Sequence, residues 1–353
     1  MERLERGIKD LLKRDLGAEQ VEVSGLRALA GGYSRETFAF DAQVAYPGGR
    51  EETLELILRR DPRAAASILP TDRGIEHRLL SRLAKATDFP LPESIALDAT
   101  GEFVERPALI IRKLPGKSDL TALFGGGDAD QLEAVATDLC EQLAKLHQIP
   151  ITIADPTGEL RDPMAKQLDT TSWRGYVRSQ IAYMKRMYAT TSFDAMPVFY
   201  DAYCSLENSL PPEVPLTFVH GDFQPSNFLY EHGKISGIID FELSHIGDPR
   251  EDLAAIYHVQ SLQGYDLMGA VKADGGFLQH YSKLSGIPVT QADVNFFRLF
   301  WLSGIQIPPI EAIKRRLEGA HDEFMHIYII QPIIAGMNPF AAQLGYPQLS
   351  GVS

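Results

Sequence analysis

The apolar periodicity of this 353-residue chain changes once, near Leu114-Pro115-Gly116, and that change limits the possible folds more than any other feature. Before it, apolar residues come in short runs of strand character; after it, they recur every three or four positions over long stretches. In the first part, Leu26 to Phe40 and Thr53 to Arg59 read as an antiparallel strand pair separated by the turn Pro47-Gly48-Gly49. A helix precedes them, with Leu4, Ile8, Leu11 and Leu12 on one face and Gly17 as its C-cap. A second helix is predicted around Gly74 to Ala84, followed by strands near Ser94 to Leu97 and Ala108 to Leu114. In the second part, Leu132, Val135, Leu139, Leu143 and Leu146 mark a helix behind Asp128 and Asp130. Further helices are expected from Arg174 to Tyr188, from Asp194 to Leu210, and intermittently from Leu253 onward. The pattern predicts an α+β protein of two lobes: residues 1–115 built on an antiparallel sheet, and residues 116–353 larger and mostly helical.

Composition narrows the function classes. With 34 basic against 47 acidic residues the formal charge is −13, a poor match to nucleic acid, which needs a clustered cationic face. The two cysteines, Cys140 and Cys204, lack metal-ligand spacing and suggest no disulfide framework. Charges are scattered through the N-terminal residues, and no run of about 18 apolar residues occurs, so a soluble, cytoplasmic protein without a membrane partner is expected.

Chemistry concentrates in FVHGDFQPSNFLY, Phe218 to Tyr230, and its continuation EHGKISGIIDFELSHIGDPREDLA. Phe228 to Tyr230 and Ile235 to Ile239 read as short strands joined by a turn at His232 to Lys234, a hairpin with Asn227 at one end and Asp240 at the other. On that reading Asp222, Asn227 and Asp240 converge, giving two carboxylates and an amide oxygen. Hard oxygen ligands of this kind suit Mg²⁺ that also holds phosphates, and phosphoryl transfer needs a third group to orient a hydroxyl nucleophile.

These motifs resemble those of the aminoglycoside phosphotransferase-like branch of the protein-kinase-like fold, which includes choline, homoserine and related small-molecule kinases. The family's H-G-D-x-x-x-x-N loop stands here as His220, Gly221, Asp222 and Asn227, and its I-D-x-x as Ile239, Asp240, Phe241 and Glu242; Gly247 to Ala254 follows the family's continuation. The resemblance implies ATP and Mg²⁺ as cofactors and a small-molecule hydroxyl as acceptor, with Asp222 as catalytic base and Asn227 and Asp240 as metal ligands. His220 reads as a packing and hydrogen-bonding residue, Asp248 and Asp252 as anchors of loop backbone or helix caps, and His147 as a cap or packing residue.

The resemblance also assigns nucleotide contacts. AGGYSRET, Ala30 to Thr37, takes the place of the hairpin loop over the phosphates, with Gly31, Gly32 and Ser34 as candidates; an ordinary β-turn predicts the same residues. A cation on the third strand, Arg59 or Arg60, would hold phosphates and pair with Glu76, and strand alternation favours Arg59. Adenine is expected against the connection Arg112 to Leu114, which includes Lys113. A protein kinase is disfavoured because HGD replaces H-R-D, IDF stands where D-F-G is expected and no A-P-E follows; a regulator that binds nucleotide without turnover is disfavoured by the intact Asp222, Asn227 and Asp240. For the acceptor, Glu242, Glu251, Glu311 and Asp322 with Trp173, Tyr176 and Trp301 suggest a cationic or amphipathic molecule. The sequence does not identify the acceptor or the oligomeric state.

Overall fold

The first helix, α1 (Glu2–Leu16), buries Leu4, Ile8, Leu11 and Leu12 along one stripe and ends at Gly17 in the left-handed conformation, φ 64°. Its fit depends on Gly7, where a Cβ would lie 2.0 Å from the carbonyl oxygen of Phe103. The computed structural model describes residues 1–29, 35–62, 72–119, 123–124, 128–162, 166–191, 197–305, 318–319 and 341–346. The chain divides into two compact units, Met1–Pro115 with Gly237–Glu242, and Gly116–Ser236 with Leu243–Ser353.

In the first unit, α1 is followed by β1 (Gln20–Ala28), β2 (Glu36–Ala45), β3 (Glu51–Arg60), α2 (Arg73–Ala86), β4 (Ser94–Asp98) and β5 (Ala108–Arg112). The five strands form one sheet in the order β1-β2-β3-β5-β4, with every neighbouring pair antiparallel. Leu54, Leu56 and Leu58 of β3 and Phe40 of β2 join the α1 stripe in a single core, each side chain worth roughly 1.5–3 kcal/mol when fully buried. The expected strand Leu26 to Phe40 is two strands. β1 starts at Gln20 and alternates: Val21 and Val23 are buried while Gln20, Glu22 and Ser24 are exposed. A register irregularity between Ser24 and Arg27, with Gly25 at φ 66°, interrupts that period and hides it in the sequence. Helix α2 is capped by Asp72, whose Oδ1 accepts from the amides of Gly74 at 2.7 Å and Ile75 at 3.3 Å.

In the second unit, α3 (Ala129–His147) is capped by Asp128 and followed by α4 (Ile151–Ala154), α5 (Trp173–Thr191) and α6 (Pro197–Asn208). Next come β6 (Thr217–Val219), β7 (Phe228–Glu231), β8 (Lys234–Ile238), β9 (His245–Gly247), α7 (Arg250–Gln263), α8 (Phe277–Ser285) and α9 (Gln291–Ile305). β7 and β8 form a hairpin about His232 and Gly233, both at positive φ. α3 holds it through Asp138, which accepts from the Ile235 amide at 2.7 Å and from Lys234 Nζ at 2.9 Å. β6 pairs antiparallel with β9, so the residues that follow Val219 lie beside those that precede His245. Arg250, fully buried at the start of α7, pairs with Asp248 at 2.7 Å and Asp293 at 3.3 Å and lies over the Phe297 ring, joining α7 to α9. Among the described residues no helix is long and apolar enough to cross a membrane.

Candidate active site

In the second unit, the segment after β6 is held by its backbone. Asp252, on α7, accepts from the amides of His220 at 2.8 Å and Gly221 at 2.9 Å. The same carboxylate receives His147 Nε2 at 3.1 Å, and His147 Nδ1 lies 2.6 Å from the Tyr281 hydroxyl. Since Asp252 only accepts, His147 donates to it from Nε2. Burial alone would raise the Asp252 carboxyl, but the hydrogen bond and charge of His147 and the proximity of His220 hold it below the usual range. Gly221 has φ 83°, and a Cβ there would meet the Leu243 carbonyl oxygen at 2.3 Å. His220 is fully buried, edge-on to Phe223, and its Nδ1 accepts the Asp222 amide at 3.3 Å. It organises the loop from behind.

This arrangement presents Asp222, half-buried, with its carboxylate steered by two side-chain amides. Gln224 Nε2 donates to Oδ1 at 3.0 Å and Oδ2 at 2.9 Å, and Asn227 Nδ2 donates to Oδ2 at 2.9 Å and to the Asp222 carbonyl at 2.9 Å. Asn227 ends the 3₁₀ turn Pro225–Asn227, which Pro225 opens. With its nitrogen committed to Asp222, the amide has Oδ1 as its remaining ligand atom, the hard donor that a divalent cation takes from asparagine.

The first unit gathers the charged residues. Arg59, near the end of β3, directs Nη1 to Glu76 of α2 at 2.8 Å and Nη2 to Asp240 Oδ1 at 2.6 Å. Arg60 points the other way, to Glu36 at 3.0 Å and the Val104 carbonyl at 3.1 Å. The side chain expected to meet Glu76 does so, and Asp240 joins the pair. Asp240 adopts φ 70°, uncommon for a residue with a side chain. Burial opposes charge on Arg59, yet Asp240, Glu76 and Glu242 together raise its pKa, so the guanidinium stays protonated.

Three further residues complete this cluster. Arg73 pairs with Asp61 at 2.8 Å and closely with both Glu76 and Glu242, and Arg35 pairs with Glu242 at 2.9 Å and Asp61 at 3.3 Å. Arg35, Asp61 and Arg73 were not among the sequence-derived candidates. One signal was available: Arg73 lies one helical turn before Glu76. Burial would raise the Glu242 carboxyl, but Arg59, Arg73 and Arg35 outweigh it and bring its pKa down to about 2.

Several expectations change. Glu242 is enclosed by arginines, which corrects its assignment to acceptor contact. Glu251 is also buried, accepting from the Tyr176 hydroxyl at 2.6 Å and the Asp248 amide at 3.2 Å, so Tyr176 and Glu251 serve the interior of the second unit. Trp173 is buried with its Nε1 on Asp248 at 2.5 Å, and Trp301 packs on His258 with ring centroids 5.4 Å apart. Lys113 is an exposed partner of Glu55 at 2.7 Å; its amide donates to the Glu55 carbonyl, and that of Arg112 to the Glu93 carbonyl. Gly31, Gly32, Ser34, Glu311 and Asp322 lie outside the described residues. Among the described residues no group of three or more His, Cys, Asp or Glu is placed to hold a metal ion.

A family model described as "Phosphotransferase enzyme family" matches residues 25–287. Acyl-CoA dehydrogenase family member 10 of Mus musculus is 26% identical over 262 residues, 73% of this chain; the chain spans 22% of that relative's length. Among solved structures, a Ralstonia eutropha protein assigned to the aminoglycoside phosphotransferases has a TM-score of 0.67 at 17% identity, over 96% of this chain and 97% of that one. A thermostable mutant of aminoglycoside phosphotransferase APH(4)-Ia, in a ternary complex with ADP and hygromycin B, has a TM-score of 0.61 at 18% identity, over 98% of this chain and 99% of that one. These similarities show the protein-kinase-like fold that the motifs implied.

Proposed function

This chain belongs to the phosphotransferase enzyme family, and from that premise we propose that it is an ATP-dependent, Mg²⁺-requiring kinase that phosphorylates a hydroxyl group of a small molecule. The observation that carries the proposal is the loop after β6: Asp252 fixes its backbone, and two amides present the Asp222 carboxylate with a defined direction. A carboxylate so held orients a hydroxyl and accepts its proton as the oxygen attacks the γ-phosphorus, whose bond to the β–γ bridging oxygen breaks to release ADP. Asn227, through Oδ1, and Asp240, whose Oδ1 is already engaged by Arg59, would hold Mg²⁺. Both are hard oxygen donors, so the residues fit the cation. When bound, Mg²⁺ neutralises phosphate charge. Arg59, kept charged and oriented by Glu76, contacts the phosphates, and the backbone near Leu114 receives the adenine. By the family resemblance, Gly31, Gly32 and Ser34 would contact the phosphates.

The test is a panel of hydroxylated compounds incubated with ATP and Mg²⁺ and read by mass spectrometry for addition of a phosphoryl group. Aminoglycosides belong in the panel because one structural neighbour binds hygromycin B, and hydroxy acids and their acyl thioesters because a relative is named for acyl-CoA chemistry. A phosphorylated alcohol in any member supports the reading. ATP hydrolysed at the same rate with every compound, and no phosphorylated product, would sink it.

A further inference from the structure

Glu242 lies two residues beyond Asp240, and its side chain is only 6% exposed. Its Oε2 accepts from Arg35 Nε at 2.9 Å and from Arg73 Nη2, and lies 3.7 Å from Arg59 Nη2. The same Arg59 nitrogen is 2.6 Å from Asp240 Oδ1. One guanidinium nitrogen therefore stands between two carboxylates, and their relative pull sets how firmly Asp240 is held. Arg73 and Arg35 fix Glu242 in place, while Glu76 anchors the other nitrogen of Arg59.

Resting on the kinase reading above, we propose that Glu242 is a positioning residue that tunes the Mg²⁺ requirement of nucleotide binding by drawing Arg59 away from Asp240. Its effect runs through the guanidinium, with no direct contact to acceptor or cation. A neutral side chain at 242 removes the second carboxylate from the Arg59 nitrogen, and the tighter pair with Asp240 competes with Mg²⁺ for that group.

The test is calorimetric titration of the full chain with AMP-PNP over a series of Mg²⁺ concentrations, with thermal unfolding measured alongside. Glu242→Gln should raise the Mg²⁺ concentration for half-maximal binding about three-fold or more, within the range of coupling between contacting residues. Glu242→Asp keeps the charge on a shorter arm and should shift it less, in the same direction; it carries the test if the glutamine variant fails to fold. In an Arg59→Lys background the shift should shrink to less than about two-fold, because one ammonium lacks the fork that spans these partners. An equal shift in both backgrounds would mean that Glu242 acts on the cation itself. An unchanged Mg²⁺ midpoint with a lowered Tm would mean that it only supports the fold. Either outcome overturns the proposal, whereas a wild-type chain with no Mg²⁺-dependent AMP-PNP binding would remove the kinase reading beneath it.

Discussion

At Arg59 and Arg60 the alternation of a strand gives two adjacent arginines different partners. Arg59 faces Glu76 and Asp240, and Arg60 faces Glu36 on the other side of the sheet. Arg59→Ala should therefore weaken nucleotide binding and turnover together, and Arg59→Lys should recover part of both, since a point charge replaces a fork. Arg60→Ala, checked in the same titrations, should leave nucleotide affinity within about two-fold, because its partners lie away from Glu76. A sensitive Arg60 and a silent Arg59 would contradict this assignment. Arg59, Asp222, Asn227 and Asp240 were legible as candidates because each falls in a motif or at a definite strand position, and Glu76 because the family resemblance pairs a helix glutamate with the strand cation. Arg35 and Arg73 were not, since both meet Glu242, which is 207 and 169 residues away in the chain. The misreading of Glu242 has the same origin: a glutamate beside a catalytic motif looks available until three arginines are seen around it.

Among the elements, the loop after β6 is held by Asp252 and has no room for a Cβ at Gly221. Gly221 and Gly264 both have positive φ, 83° and 73°, but only Gly221 has backbone where a Cβ would go. Gly264→Ala should thus cost about 1 kcal/mol, the conformational penalty alone, and Gly221→Ala clearly more, with loss of turnover. Urea unfolding of the two variants checks this; equal costs would mean that the Leu243 carbonyl moves aside freely. Helix α7 carries a pH dependence. Burial first, and then Arg298, lower the His258 imidazole from 6.5 to about 4. The folded state favours the neutral ring, so its contribution is present above pH 6.5 and is lost as the pH falls toward 4. Its full extent is about 3 kcal/mol. His258→Gln should flatten that part of the stability profile, and an unchanged profile would exclude His258 as its source. Helices were legible because their apolar period runs for many residues, as in α1 and α3. β1 was not, because two valines among exposed polar residues give a short alternation that the irregularity at Gly25 cuts off.

For the whole molecule, fold class and family were readable from the sequence because period and motif agreed: the five-stranded sheet lies in the first part, most of the helices in the second, and the motif residues on the loop after β6 and the segment after β8. Acceptor identity was not, since the motifs handle nucleotide and metal, and Glu242, Tyr176 and Glu251 hold their side chains in internal networks. The acidic balance of −13 agrees with a small-molecule acceptor and disfavours nucleic acid. In the proposed reaction Asp222 orients and deprotonates an acceptor hydroxyl while other residues hold ATP. The most direct test compares wild type with Asp222→Asn for two quantities, turnover with an acceptor found by the panel and the Kd for AMP-PNP with Mg²⁺. Turnover should fall by about three orders of magnitude or more, with Kd within about three-fold; turnover near wild type in the variant would remove Asp222 as the base.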